Sequence, residues 1–167
     1  KAKDLLKQAG YADGFSTTIF CQPGVADKDV AVAVQKMLAD VGITAELQFP
    51  DAGGYATIRS TGWDGLILGG FRAFPNPYTT FYLYLDNKQM FMVSVARPDG
   101  WAEALDAALA APEPDAKLLS ELNKIILENA TLIPVYNMTD NWAMKLNVHG
   151  GGYGEYDRCT LANAWLS

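Results

Sequence analysis

An α/β fold, a mostly parallel sheet with helices on both faces, is predicted by three features of residues 1–71. β-branched or apolar runs alternate with amphipathic stretches in the order strand, helix, strand, helix, strand. The connections are short and marked by Gly, Pro or Asp, as in parallel crossover units. The last apolar run, Asp64 to Phe71, is continuous rather than alternating, the pattern of a strand covered on both sides.

Lys3 to Ala9 places Leu5, Leu6 and Ala9 on one side and stops before Gly10, a short helix with a glycine just past its end. Ser16 to Gln22, STTIFCQ, is β-branched and aromatic and reads as the first strand. Asp27 or Asp29 can cap the next helix, where Val30, Val34, Met37, Leu38 and Val41 recur at helical spacing until Gly42. Ile43 to Phe49 alternates as a second strand. Pro50 and Asp51 open a shorter helix over Gly53 to Ser60, with Tyr55 and Ile58 facing inward.

Beyond Pro77 a helical turn through Phe81 to Leu85 is predicted, and Asp86 to Pro98 reads as loop with room for one strand. Asp99 can cap a helix carrying Trp101, Leu105, Ala108 and Leu109, which the PEP break at Pro112 to Pro114 separates from a second. That second helix, Asp115 to Asn129, buries Leu118, Leu122, Ile125 and Ile126. Leu132 to Met138 and Asn141 to Val148 are read as strands, His149 to Gly154 as a glycine-rich turn, and ANAWLS as the last element.

At 167 residues the chain is expected to be a single domain, burying about two thirds of its unfolded surface in one core. The net charge is −6, and no Lys or Arg cluster offsets it, so nucleic acid is not an expected partner. No apolar segment reaches the length of a membrane helix. The chain starts at Lys1 without Met or an export signal, and it reads as a processed product or an excised piece.

The catalytic inventory is thin. His149 is the one histidine, it sits beside glycines, and it reads as a surface or hydrogen-bonding residue. Cys21 and Cys159 lie far apart in no metal-like spacing, so neither a metal nor a cofactor is expected. Two separate thiols or one bridge remain open; a bridge closing so long a loop would contribute about 4–5 kcal/mol in the chain-entropy model. The glycines at 150–152 and 154 lack a phosphate-loop lysine and read as a turn. The sequons at Asn129 and Asn137 read as chance, and the scattered carboxylates read as solvated charges.

What remains is the loop Arg72 to Tyr78, RAFPNPY, leaving the end of the strand taken to be most buried. In open parallel sheets ligands collect beyond the carboxyl ends of strands. Phe71, Phe74 and Tyr78 could wall such a site while Arg72 and Asn76 hold a polar group. The alternative is that these aromatics plug the sheet end with Arg72 in solvent.

Several stretches together resemble one family. LLKQAGYADGF, VAVAVQKMLADVGITAEL, WDGLILGGF, ALDAALAAPEPDAKLLSELNKIILENATLIPVYN, KLNVHG and AWLS follow one another as in the C-terminal half of peptide/nickel/opine extracellular solute-binding proteins. The resemblance covers nearly the whole chain, most specifically in LLKQAGY, LADVGI and ENATLIPVY. It implies one lobe of a clamshell that encloses a ligand against an N-terminal lobe and docks on the membrane permease of an ATP-binding-cassette importer. It also implies residence outside the cytoplasmic membrane, periplasmic or as an anchored lipoprotein.

In family members the strand ends in glycine-tryptophan, and an aspartate for the ligand's amine often follows. Here Gly70 and Phe71 match with Phe for Trp, Phe74 falls at the aspartate position, and Asn76 and Pro77 resemble a later acidic residue and proline. Tyr55 matches a cleft-facing aromatic, and Arg59 lies one turn further. The missing carboxylate disfavours a peptide amine, while Arg72 suits an acidic or hydroxylated ligand. A hydrolase or transferase would need a nucleophile–base pair at strand ends, which the chain does not display. A sensor or interaction domain of the same fold is the competing reading.

Overall fold

The computed structural model describes residues 1–71, 74–86, 88, 89, 91–137, 143–154 and 158–167, and of residues 153, 154, 158 and 159 the backbone alone. Two units share them, Lys1–Phe71 with Asn87–Val95, and Arg72–Asp86 with Ala96–Ser167.

The first unit opens with helix α1, Ala2–Gln8. It ends in a Schellman turn: Gly10 has φ +88°, Tyr11 N donates to Leu6 O and Gly10 N to Lys7 O. Strands β1 (Phe15–Cys21), β2 (Ile43–Gln48) and β3 (Leu66–Leu68) then form a parallel sheet in the order β2-β1-β3, joined by α2 (Lys28–Ala39) and α3 (Ala52–Thr61). Asp27 caps α2, accepting from Asp29 N and Val30 N, and Asp51 caps α3, accepting from Gly54 N.

Ile19 and Cys21 alternate onto one face of β1 and pack on Ala31 of α2 and Ala45 of β2, ringed by Val34, Leu38, Leu47 and Leu68. Gln22, next in the alternation, meets α3 through Tyr55. The two helices therefore cover opposite faces, as predicted. Cys21 is a free thiol, and its burial raises its pKa. The side chain of Cys159 lies outside the described residues.

Two expectations for this unit need correction. The strand read as Asp64 to Phe71 is only Leu66–Leu68, and Leu66 is 43% exposed. It lies at the edge of the described sheet, whereas β1, paired on both sides, is the most buried strand. Apolar composition does not distinguish the two. Met37 is also 67% exposed. The inward stripe of α2 centres on Ala31, Val34 and Leu38, and Met37 lies about 100° round the helix from Leu38.

In the second unit α4 (Pro77–Leu85), α5 (Trp101–Ala110) and α6 (Ala116–Glu128) pack through Leu85, Trp101, Leu105, Ala108, Leu122 and Ile126, all buried. Trp101 Nε1 donates to Leu85 O at 3.0 Å, and Arg97 Nε to the same oxygen at 2.9 Å. Burial lowers the pKa of the Arg97 guanidinium, and buried Asp86 nearby pushes it back up. Asp115 caps α6 by accepting from Lys117 N at 2.7 Å and Leu118 N at 3.0 Å. Asp115→Ala is expected to cost about 1 kcal/mol, readable as a lower urea midpoint with unchanged slope.

The cap of α5 is Gly100, at φ +80°, rather than Asp99. Trp101 N turns back to Pro98 O, so no side-chain cap is used there. Leu109 is 41% exposed, off the buried stripe. No strand occurs among the described residues of 86–98.

The strands expected over Leu132 to Met138 and Asn141 to Val148 are not formed at 132–137 or 143–147; residues 138–142 lie outside the described residues. Only Val148–His149 (β4) is a strand, antiparallel to β7 (Trp165–Leu166). The apolar alternation is real, but a strand exists only when a neighbour pairs with its backbone, and none does so here among the described residues. The glycine-rich stretch is not merely a turn: β5 (Gly152–Gly154) pairs antiparallel with β6 (Arg158–Thr160).

Candidate functional site

The strand order β2-β1-β3 reverses at β1, so the chain leaves the carboxyl ends of β1 and β3 at a topological switch point. Open parallel sheets present their ligand crevice there. The connection to β2 departs to one side and β3 arrives on the other. Gln22 and the pair Gly69-Gly70 stand at this point.

Gln22 ties the two ends together. Its backbone N donates to Leu68 O at 2.9 Å, extending the ladder by one bond. Its side-chain Oε1 accepts from Gly70 N at 2.9 Å and from the Tyr55 hydroxyl at 3.4 Å. A Cβ at Gly69 would stand 2.7 Å from Gln22 Oε1 and 2.9 Å from the Tyr55 hydroxyl, so a side chain there would have to push these two polar groups aside. Sequence reasoning did not single out Gln22. The available signal was a polar amide directly after STTIFC and before Pro23-Gly24.

Tyr55, buried on α3, is joined one turn on by Arg59. The Arg59 guanidinium carbon lies 5.7 Å from the Tyr55 ring and 5.4 Å from the Phe91 ring. Its Nε is buried and finds no hydrogen-bond partner among the described residues. Segment 91–95 is held at the end of this helix and just beyond it: Val93 N donates to Arg59 O, and Trp63 N to Ser94 Oγ. Phe71, 38% exposed, ends the first segment of this unit beyond the glycine pair.

The structure thus brings Tyr55 and Arg59 together, and Phe71 follows Gly70, whose N–H is held by Gln22. Arg72 lies outside the described residues. Phe74, Asn76 and Tyr78 belong to the second unit, where each has a local role. Phe74 N donates to Thr80 Oγ1 at 3.3 Å. Asn76 caps α4, its Oδ1 accepting from Tyr78 N at 2.9 Å. The buried Tyr78 hydroxyl accepts from Asp115 N at 2.7 Å and donates to Asp115 O at 3.0 Å, locking α4 to the start of α6.

His149 hydrogen-bonds through Nε2 to Ser167 Oγ at 3.0 Å and stacks on Trp165 at 4.2 Å. Among the described residues no group of three His, Cys, Asp or Glu side chains could hold a metal. A shallow depression of about 280 Å³ lined by Lys3, Leu6, Asp13 and Asp40 lies at the amino ends of the strands, away from the switch point.

The sequence profile of the bacterial extracellular solute-binding proteins, family 5 Middle, matches residues 1–92, more than half of the chain. The chain belongs to family 5 of these proteins. Within the family, the glutathione-binding protein GsiB of Escherichia coli (strain K12) is 44% identical over 54 residues, 32% of this chain and 10% of GsiB. A dipeptide binding protein from Pseudoalteromonas sp. SM9913, solved with Met-Leu, matches over 99% of this chain and 35% of its own, with TM-score 0.79 and 22% identity. DppA from Helicobacter pylori, an ABC transporter-associated periplasmic binding protein solved with the peptide STSA, matches over 77% of this chain and 27% of its own, with TM-score 0.62 and 25% identity.

These relatives are binding proteins, and the likeness establishes the α/β fold of periplasmic binding proteins for this chain. The matched region is about a tenth of GsiB and about a third of the solved dipeptide binding protein. No helix among the described residues is long and apolar enough to cross a membrane.

Proposed function

We propose that this chain is the ligand-binding portion of a solute receptor outside the cytoplasmic membrane, which captures a small organic solute or peptide and delivers it to the permease of an ABC importer. The family match over residues 1–92 carries this reading. The switch point at Gln22, Gly69 and Gly70 supports it, because that is where an open parallel sheet receives a ligand. Binding without catalysis fits a chain whose one histidine is engaged with Ser167 and Trp165.

In this reading residues 1–167 serve as one lobe of a clamshell closed by the N-terminal lobe of the same parent protein. The apolar side chains of Ile133, Val135 and Leu146, the last 99% exposed, are then surface for that partner. Tyr55, Arg59, Phe71, Arg72, Phe74, Asn76 and Tyr78 are the residues this reading assigns to the ligand's surroundings.

Mass spectrometry of small molecules co-purifying with the complete receptor tests the proposal, with glutathione and Met-Leu as first added probes. A stoichiometric organic solute or peptide is the expected result; an empty protein that neither probe stabilises against heat refutes it. For Arg72, a charge-assisted contact implies that Arg72→Ala lowers occupancy by the co-purifying solute roughly tenfold or more. Undiminished occupancy removes Arg72 from the site.

A further inference from the structure

We infer that residues 91–95 form a strap latched onto the end of α3 by Arg59, and that this strap opens locally while the sheet of the first unit stays folded. The device is the same whichever solute the receptor takes. No helix or strand forms at 91–95, and Phe91, Val93 and Ser94 are exposed. Met92, 5% exposed, is the buried side chain of the five. Such a segment belongs to the low-stability end of a fold, where opening does not require global unfolding.

The fastenings come from one short stretch of chain. The Arg59 guanidinium carbon lies 5.4 Å from the Phe91 ring, and Arg59 O accepts from Val93 N at 3.3 Å. Just beyond the helix, Trp63 N donates to Ser94 Oγ at 2.9 Å. Gly62, at φ +109°, lets the strap in closely: a Cβ there would stand 3.1 Å from Ser94 Oγ and 3.7 Å from Val93 Cγ2. Residues 59–63 therefore act as one catch.

Two costs belong to the latched state. Arg59 Nε is buried without a hydrogen-bond partner among the described residues, while the rings of Tyr55 and Phe91 flank its guanidinium. Lifting Phe91 away admits water to that donor. Met92 holds φ +56°, a left-handed backbone unfavourable for a side chain, and a released strap relaxes it. Both offset the burial of Met92 and bring the latched and open states closer in free energy.

The roots of the strap are fastened separately. Arg97 Nε donates to Leu85 O at 2.9 Å and its Nη2 to Asp86 O at 3.5 Å, so the chain just after the strap is pinned to the chain just before it. These bonds lie within the second unit and survive opening. The chain passes between the units at 71–72, 86–87 and 95–96. With the strap released, only the first passage still ties the second unit to the sheet, so the latch sets how many covalent connections restrain the pair.

Native-state hydrogen exchange on the complete receptor, read at single amides, tests the latch. In the wild type the amides of Trp63, Val93 and Val95 are expected to exchange through one common opening, faster than those of Ile19 to Cys21 in β1. Phe91→Leu, at a half-exposed position, should fold normally and speed exchange at all three roughly threefold, with β1 unchanged. Arg59→Gln should act in the same way. The double variant should be little faster than Arg59→Gln alone, because both substitutions remove one contact. The latch is overturned by any of three results: wild-type exchange of these amides at the β1 rate, equal acceleration of β1 in Phe91→Leu, or unchanged Val93 exchange in that variant. Fully additive effects of the two substitutions would remove Arg59 as its fastening.

Discussion

Trp101→Ala is expected to destabilise the second unit by about 3–5 kcal/mol, the range for truncating a large aromatic in a packed core. Trp101 is 2% exposed, and Phe81 meets its ring edge-on at 5.8 Å. The loss is one of volume more than of hydrogen bonding, because Leu85 O keeps its bond from Arg97 Nε at 2.9 Å when the indole N–H is gone. Trp101→Phe retains a ring while losing the indole donor, and should cost roughly 1–2 kcal/mol. Hydrogen exchange resolved by segment is the suitable measurement, since two units do not guarantee one unfolding transition. A loss of protection spread equally over residues 1–71, or a cost below about 1 kcal/mol, would contradict the packing described.

Gly14→Ala is expected to cost the first unit about 2–5 kcal/mol, the sum of about 1–2 for a left-handed backbone and about 1–3 for overpacking. Gly14 has φ +78°, and a Cβ there would run into the carbonyl oxygen of Gly42. That neighbour is backbone, itself at φ +98°, and it immediately precedes the pairing of Phe15 with Ile43. Relief therefore requires shifting the start of β1 or β2. Gly10→Ala is the control: φ is +88° but nothing lies within 4 Å of the added carbon, so only the conformational cost of about 1–2 kcal/mol should appear. Equal losses in the two variants would show that the approach of Gly14 to Gly42 carries no energy.

The elements legible in the chain are those whose signals are local. Asp27, Asp51 and Asp115 each cap a helix, and Gly10 closes α1, because a cap depends on residues within one turn. The alternation of β and α patterns gave the parallel crossovers for the same reason. Where the reading failed, the deciding partner was distant. Leu66–Leu68 reads as a core strand, and only the pairing of β1 on both sides makes it an edge. The run from Leu132 carries strand periodicity with no strand beside it.

The candidate site divides in the same way. Tyr55 and Arg59 are legible as neighbours because they lie one helical turn apart, and aromatic Phe71 is visible at a strand end. That Asn76 and Tyr78 serve helix ends could not be read locally in full: Asn76 caps its own helix, but the partner of Tyr78 is Asp115, far along the chain. Gln22 carries only the weak local signal of an amide at a strand end; its meaning comes from Gly70, distant in sequence and adjacent only once β1 and β3 pair.

By itself, then, the sequence determined the fold class, the capped starts of α2, α3 and α6 and the family to which the chain belongs, all of which rest on short-range periodicity, capping and contiguous motif. Tertiary structure alone decided which strand is central, which apolar runs stay unpaired among the described residues, that Gln22 meets Gly70 and Tyr55, and that Phe91 meets Arg59. The physical reason is common to these cases: pairing, burial and donor–acceptor matching are properties of neighbours in space, and the parallel crossovers bring those neighbours from positions tens of residues apart.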